Sequence, residues 1–351
     1  MATTALVTGG SGYFGSLLVA HLHERGSRVR VLDLNDSPDR PAEVEFVRGD
    51  IRDDTVVRRA CHGANVVYHT AAQVPLARNR RLLHSVNVDG THTVLKACAA
   101  AGVSKVIHLS SSAVLGIPKT NPVRPDTLPA PVEPYGRSKY QAEMLCQQAV
   151  RQGLDVTVIR PRTLLGAGRL GIFSVLFDFI ADGADVFVLA GGQNTYQFLH
   201  VDDLVSACLG AARHPGPALY NVGAPCFGTM RQALENLCVH AATGSGVRSL
   251  PAAPATWAMH FTATLHLAPF SPYHWAMYGH SMWFDIAAAQ HDLGWRPRYS
   301  NDVMLAETYD HYLHQRLSET EGEASHHRSP VSHGALRLLK MLTQRASNRS
   351  R

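Results

Sequence analysis

The chain has 351 residues, 45% hydrophobic and 17% charged, with a formal net charge of +5 at pH 7. That length supports a large core, built as one α/β unit with an elaborated C-terminal part or as two close-packed lobes. The arginines are scattered apart from Arg78, Arg80, Arg81 and the extreme C-terminus, so no basic stripe recommends a nucleic-acid partner.

No apolar run reaches the ~20 residues of a membrane span, so the expectation is a cytoplasmic protein without stable membrane insertion. Cys61, Cys98, Cys146, Cys208, Cys226 and Cys238 are well separated and read as buried thiols in a reducing compartment. The histidines are scattered, without H-E-x-x-H spacing, and no metal site is expected.

Ala5-Leu6-Val7 predicts a short buried strand, ended by Thr8-Gly9-Gly10-Ser11-Gly12-Tyr13-Phe14-Gly15. Leu17, Leu18 and Leu22 then recur at helical spacing until Gly26 closes the helix. Arg28 to Asp33 alternates as a second strand and ends on an acid. Further strands are predicted at Val44–Val47, Asn65–His69 and Lys105–Ser110, the last two flanking a helix from about Leu82 to Ala101. This alternation is the rhythm of βαβ units, hence of a doubly wound parallel sheet with helices on both faces.

Gly9-x-x-Gly12-x-x-Gly15 lies between strand and helix, where a nucleotide-binding turn belongs. Glycines permit the tight turn, and the helix N-terminus favours a pyrophosphate. Asp33 can accept hydrogen bonds from both ribose hydroxyls and would repel a 2′-phosphate. No basic residue in the loop or just after Asp33 would neutralise one, so NAD is favoured over NADP. Without the loop, Asp33 would read as a solvated strand-end carboxylate.

Tyr135 and Lys139, in Glu133-Pro134-Tyr135-Gly136-Arg137-Ser138-Lys139, place a phenol and an ammonium on one helix face. Bringing a tyrosine from ~10 to about 7 requires roughly 4 kcal/mol in favour of the phenolate. One positive charge about 4 Å away supplies that much at an effective dielectric of 20. The pair can serve as a general base at neutral pH.

With these residues in place, the chain resembles the extended short-chain dehydrogenases/reductases, the NAD-dependent epimerase/dehydratase group, over about residues 3 to 315. The motifs that carry the resemblance are the glycine turn, Gly49-Asp50-Ile51-Arg52-Asp53, His69-Thr70-Ala71-Ala72 and Asn87-Val88-Asp89-Gly90-Thr91. They continue with Ser110 to Gly116, Tyr135-x-x-x-Lys139, Arg160-Pro161 and Phe198-Leu199-His200-Val201-Asp202-Asp203.

The resemblance implies a Rossmann-type core with a smaller C-terminal α/β substrate lobe. The expected division is 1–160 with later segments near 196–225 for the core, 161–318 mainly for the lobe, and 319–351 as a basic tail. It also implies roles. Gly9, Gly12, Tyr13, Phe14, Gly15, Asp33, Asp50, Ile51, Ala71, Ala72, Asn87 and Pro161 would hold NAD, together with Tyr135 and Lys139. Ser111, with Ser112 as near alternative, would hold the substrate oxygen while Tyr135 exchanges the proton. Gln73, Ser112, Arg162, Tyr196 and Trp275 are the expected substrate-side residues. Family members commonly dimerise through the helices here predicted at Leu82–Ala101 and Tyr135–Arg151, so a homodimer is expected.

The chain departs from the nucleotide-sugar pattern at several places. Arg160-Pro161-Arg162-Thr163 lacks the following asparagine, Tyr196 stands where an arginine meets the substrate diphosphate, and Ser112-Ala113 replaces the Asp-Glu pair of 4,6-dehydratases. Arg162, Arg169 or the Arg78–Arg81 cluster could bind an anion instead, with surface solvation the plainer role of each. Gly191-Gly192-Gln193-Asn194 leans toward the hydroxysteroid-dehydrogenase branch. All four tryptophans lie late, and Trp257 to Phe284 interleaves aromatics with histidines as a lid or as ordinary core. Residues 334–346 could form a basic amphipathic helix. The expected activity is NAD-dependent oxidation of a secondary alcohol on a sugar-like substrate, a sugar nucleotide or nucleoside, with an internal redox outcome such as epimerisation or non-4,6 dehydration. A hydroxysteroid-type dehydrogenase with net NAD(H) turnover is the rival enzyme, and a cofactor sensor the non-enzymatic one.

Overall fold

The computed structural model describes residues 3–74, 79–168, 173–251 and 279–320. The chain forms two compact units. One comprises Met1–Arg162, Val201–Gly223 and Phe284–Pro297; the other comprises Thr163–His200, Ala224–Trp283 and Arg298–Arg351.

The first unit is built on β1 (Thr4–Thr8), β2 (Arg28–Asp33), β3 (Glu45–Arg48), β4 (Val66–His69), β5 (Lys105–Leu109), β6 (Val156–Pro161) and, after the second unit's β7 (Thr163–Leu165), β8 (Val186–Leu189), β9 (Thr195–Tyr196) and β10 (Phe198–His200), β11 (Ala218–Val222). They form one seven-stranded sheet in the order β11-β6-β5-β4-β1-β2-β3, with every pair parallel. The strand order reverses between β1 and β4. In such sheets the ligand crevice lies beyond the carboxyl ends of the strands at that reversal. Thr8, Asp33, His69, Leu109 and Pro161 are the strand ends that lead into the predicted site segments.

Helix α1 (Tyr13–Glu24) buries Phe14, Leu18, Val19 and Leu22, and stops where Gly26 turns to φ 75°. Helix α2 (Asp54–Cys61) starts where the Asp53 carboxylate accepts from the Thr55 and Val56 amides. The predicted helix 82–101 is interrupted: α3 (Arg80–His84) and α4 (Thr91–Ala100) flank a π-helical turn, Ser85–Gly90. The widened turn lets the buried Asn87 amide leave the helix axis and bond Gln73 and Ser138. Helix α5 (Pro134–Arg151) starts with Pro134 in its first turn. Val67, Val106 and Val156 on the sheet pack with Val57, Val94, Cys98 and Cys146 from α2, α4 and α5 in one apolar core. All six cysteines are thiols, but Cys226 is exposed, which corrects the expectation that all are buried.

In this unit α7 (Val201–Arg213) follows α6 (Phe173–Ala181) of the second unit, and α9 (Ala287–Leu293) follows its α8 (Met230–Ala241). Trp295, just after α9, is buried and donates from Nε1 to the Asp203 carbonyl at 2.9 Å.

Among its described residues the second unit carries three small sheets: β7 (Thr163–Leu165) beside β10 (Phe198–His200), β9 (Thr195–Tyr196) beside β12 (Gly228–Thr229), and β8 (Val186–Leu189) beside β13 (Val247–Leu250). Its helices among the described residues are α6 (Phe173–Ala181), α8 (Met230–Ala241) and α10 (Asn301–Thr320). Phe177 meets Tyr309 edge-on at 5.6 Å, tying α6 to α10.

Candidate active site

Packing explains the glycines of the turn after β1. Gly9 sits at φ 74°, and a Cβ there would lie 2.7 Å from the Ala71 Cα. A Cβ on Gly15 would lie 2.0 Å from the Gly9 carbonyl oxygen. The turn is closed on itself and on Ala71, with no space for side chains. Gly12 starts α1 without a side-chain cap, so the positive end of the helix is not neutralised from within. This cradle fits a dinucleotide pyrophosphate.

Asp33 is fixed by the same turn. Its Oδ2 accepts from the Ser11 amide at 3.1 Å and its Oδ1 from the Leu34 amide at 2.7 Å. Arg40, the first basic residue after Asp33, is forked onto the Asp36 carboxylate at 2.7 and 2.9 Å. The Arg40 hydrogen bond holds Asp36 below its ordinary value. That arginine is therefore engaged in its own loop, in keeping with a site for a 2′-hydroxyl rather than a 2′-phosphate.

Asp50 is held by Arg52 from Nε at 2.9 Å, and Arg52 Nη1 reaches the Ser85 hydroxyl at 3.1 Å. The Arg52 hydrogen bond lowers the Asp50 pKa. Ile51 is buried where Gly90 leaves room: a Cβ on Gly90 would lie 2.6 Å from Ile51 Cδ1. After β4, Ala71 lies under the glycine turn, Ala72 follows, and Gln73 is bonded twice by the Asn87 side chain, at 2.7 and 3.1 Å.

The segment after β5 carries the serines. Ser110 is buried and donates to Glu143 Oε1 at 2.5 Å. Ser111 is half-buried and caps the turn Ser112–Leu115, accepting from the Ala113 amide at 3.1 Å, whereas Ser112 is buried.

Helix α5 is docked tightly against that turn. A Cβ on Gly136 would lie 2.4 Å from the Ala113 carbonyl oxygen. The Glu133 carboxylate caps the helix, accepting from the Tyr135 and Gly136 amides at 2.7 and 2.6 Å. Burial raises the Glu133 pKa despite these bonds. Tyr135 is half-buried on the first turn. Lys139, one turn on, is buried and donates from Nζ to the Leu109 carbonyl at 2.6 Å. Desolvation pulls its pKa down to about 8. Beneath it lie His69 and His108, with ring centroids 5.3 Å apart. Burial, then the Lys139 charge, lowers His69 to about 3 and His108 well below its ordinary value.

Pro161 ends β6, and Arg162 follows it. Arg162 is 2% exposed, with its guanidinium 5.5 Å from the Phe284 ring, which corrects the expectation of surface solvation. Arg80 and Arg81 are exposed. Tyr196 belongs to the second unit, where its hydroxyl is 2.8 Å from Thr163 Oγ1. Trp275, Arg78, Arg169, most of the aromatic stretch from Trp257, and the 334–346 segment lie outside the described residues.

Sequence reading missed Glu143. It lies one turn beyond Lys139, 1% exposed, and Arg160 clasps it from Nε and Nη2 at 2.8 and 2.7 Å. Arg160 Nη1 also holds the Pro125 carbonyl at 3.1 Å. The available signal was an arginine inside the apolar strand Val-Thr-Val-Ile-Arg-Pro, since a charge there requires a buried partner.

Residues 5–223 match the model of the NAD dependent epimerase/dehydratase family. The chain is 48% identical to the uncharacterized protein y4nG of Sinorhizobium fredii, over 96% of this chain and 85% of that one. It is 31% identical to the sterol-4-alpha-carboxylate 3-dehydrogenase, decarboxylating, of Mus musculus, across 61% of this chain and 60% of that enzyme's length. Among solved structures, it is similar to the UDP-glucose 4-epimerase of Thermotoga maritima with UDP-glucose: TM-score 0.74, 25% identity, 90% of this chain and 100% of that one. It is also similar to MoeE5 in complex with UDP-glucose and NAD, with TM-score 0.69, 25% identity and coverage of 90% and 99%. The glycine turn, the Asp33 carboxylate and the anchored Tyr135–Lys139 helix thus stand in a chain that belongs to the NAD-dependent epimerase/dehydratase family and is an NAD-dependent enzyme.

Proposed function

We propose that this enzyme oxidises a secondary alcohol on a sugar-like substrate, a sugar nucleotide or a nucleoside, as the first half of an internal redox reaction such as epimerisation. The observation that carries the proposal is the placement of Tyr135 and Lys139 on a helix docked onto the Ser111 turn. Support for a sugar nucleotide comes from the likeness to the UDP-glucose 4-epimerase over 90% of this chain.

NAD, when bound, supplies the hydride acceptor at its nicotinamide ring. Ser111 would hold the substrate oxygen. Tyr135, as the phenolate, takes the hydroxyl proton and returns it when the carbonyl is reduced again. Lys139 favours the phenolate by its charge, worth roughly 4 kcal/mol at about 4 Å in an effective dielectric of 20. Because the ammonium is buried, solvent weakens that interaction little. Gln73, Ser112, Arg162, Tyr196 and Trp275 are the proposed substrate-side residues. Arg162 can offer a buried cation to an anionic substrate group. The enzyme is further proposed to act in the cytoplasm as a homodimer through α4 and α5, where Met144 stands exposed on α5.

The test is to incubate the purified enzyme with UDP-glucose or UDP-galactose, analyse the products, and assay the denatured protein for retained NAD(H). Epimer formation with cofactor retained is the expected result; stoichiometric NADH release would refute internal redox. The 31% identity to the sterol dehydrogenase favours a second reading, a hydroxysteroid-type dehydrogenase. Under it, sterol alcohols give steady NADH formation while the sugar nucleotides give none.

A further inference from the structure

Two stretches of buried hydrogen bonds, joined covalently through Asn87, form a file from the end of β1 to helix α5, and the protonation of its first stretch is fixed. At its start, Thr8 Oγ1 lies 2.8 Å from His69 Nδ1. On the other edge of the ring, His69 Nε2 lies 2.9 Å from Thr91 Oγ1. The Thr91 hydroxyl donates its single proton to the Asn87 carbonyl at 2.7 Å. Toward the imidazole, Thr91 can therefore only accept, and His69 must carry its proton on Nε2. The neutral ring then accepts at Nδ1 from the Thr8 hydroxyl.

The file continues through the Asn87 side chain, whose Nδ2 donates to Ser138 Oγ at 3.0 Å. Ser138 donates in turn to the Tyr135 carbonyl at 2.8 Å. Thr8, His69, Thr91, Asn87 and Ser138 are each at most 2% exposed, so water does not substitute for any of them.

The chain between His69 and Gln73 is pinned at both ends by this file. Thr70 Oγ1 bonds the Thr8 carbonyl at 2.8 Å, and Asn87 holds Gln73. Ala71, between them, is the floor against which Gly9 packs. Any slip of this segment would move the pyrophosphate cradle relative to Tyr135.

We infer that His69, as a neutral Nε2–H imidazole, is a positioning residue that sets the register between the NAD-binding turn and the Tyr135–Lys139 helix. The inference rests on NAD as cofactor and on Tyr135 as base, and it does not depend on which substrate is used.

The experiment is a double-mutant cycle read by NAD titration of the full-length protein, joined to nitrogen NMR of labelled histidines in the NAD-bound enzyme. Thr91→Val and Ser138→Ala each cut the file at a different link with little change of volume. Each is expected to weaken NAD by about tenfold, the scale of one buried hydrogen bond with an orphaned partner. The double variant is expected to be little weaker than either single one, because a severed file cannot be severed again. Thr91→Ser, which keeps the hydroxyl, should restore NAD affinity. The His69 resonance should report the neutral Nε2–H tautomer between about pH 6 and 8. Multiplicative single effects (about a hundredfold in the double variant), unchanged NAD affinity in either single variant, or an Nδ1–H or doubly protonated ring would each overturn the inference. Failure of every sugar nucleotide as a substrate would leave these titrations unaffected, so the two proposals fail separately.

Discussion

The Lys139 ammonium donates to the carbonyl oxygen of Leu109 at 2.6 Å, binding helix α5 to the end of the strand that leads into Ser111. One of its three protons is thereby committed to the fold, and two remain to donate elsewhere. Burial costs this charge hydration and pulls its pKa to about 8 from 10.5. The unfolded chain therefore binds the proton more tightly. The destabilisation is fully present below about pH 8 and is relieved as pH rises toward 10.5. Lys139→Met is expected to be more stable at pH 7 by about 2 kcal/mol after the lost hydrogen bond, and inactive. Urea unfolding should show the gain vanishing toward pH 10.5. Catalysis by the unmodified enzyme should decline on the alkaline side of about pH 8.

His69 and His108 predict the opposite limb. Both are buried and neutral, His69 with a value of about 3, against 6.5 in the unfolded chain. Below pH 6.5 the unfolded state takes up protons that the native state excludes, so stability falls with pH. Each ring contributes about 1.4 kcal/mol per pH unit in that window. His108→Leu should lower the slope of unfolding free energy against pH by about 1.4 kcal/mol per pH unit between about 6 and 4.5. Among the described residues neither ring nitrogen of His108 has a hydrogen-bond partner, so the substitution orphans nothing there.

Gly136→Ala reverses an ordinary rule. Alanine normally stabilises a helix position by about 0.5–1 kcal/mol over glycine. Here the added methyl would lie 2.4 Å from the Ala113 carbonyl oxygen, so α5 must lift from the Ser111 turn. Expected are a loss of at least about tenfold in kcat, the scale of a misplaced general base, and a weakened NAD affinity. Paired kinetics and NAD titration check both.

Glu143→Gln leaves the Arg160 guanidinium, 3% exposed at its side chain, without its counter-ion. Breaking such a buried pair costs about 3–5 kcal/mol. A melting temperature lowered by several degrees is expected in calorimetry, and a shift near zero would show that solvent reaches the pair.

Much of this architecture was legible in the residues. Apolar strand runs and the glycine turn foretold the doubly wound sheet, because βαβ periodicity and turn chemistry are local. The Tyr135–Lys139 spacing located the helix, which runs from Pro134 to Arg151. What escaped was non-local. The π turn at Asn87 arises because its amide bonds Gln73, 14 residues away in sequence, and Ser138, 51 away. The burial of Arg162 was hidden for the same reason, since nothing near it in sequence announces Phe284.

The ionisation of Tyr135 can be measured without a substrate. Ultraviolet difference titration of the NAD-bound enzyme, compared with Tyr135→Phe, isolates the ionisation of one phenol. The account predicts a tyrosinate forming well below the usual ~10, absent from Tyr135→Phe and shifted upward in Lys139→Met. A Tyr135 phenol that titrates at or above ~10 and does not respond to Lys139→Met would contradict it.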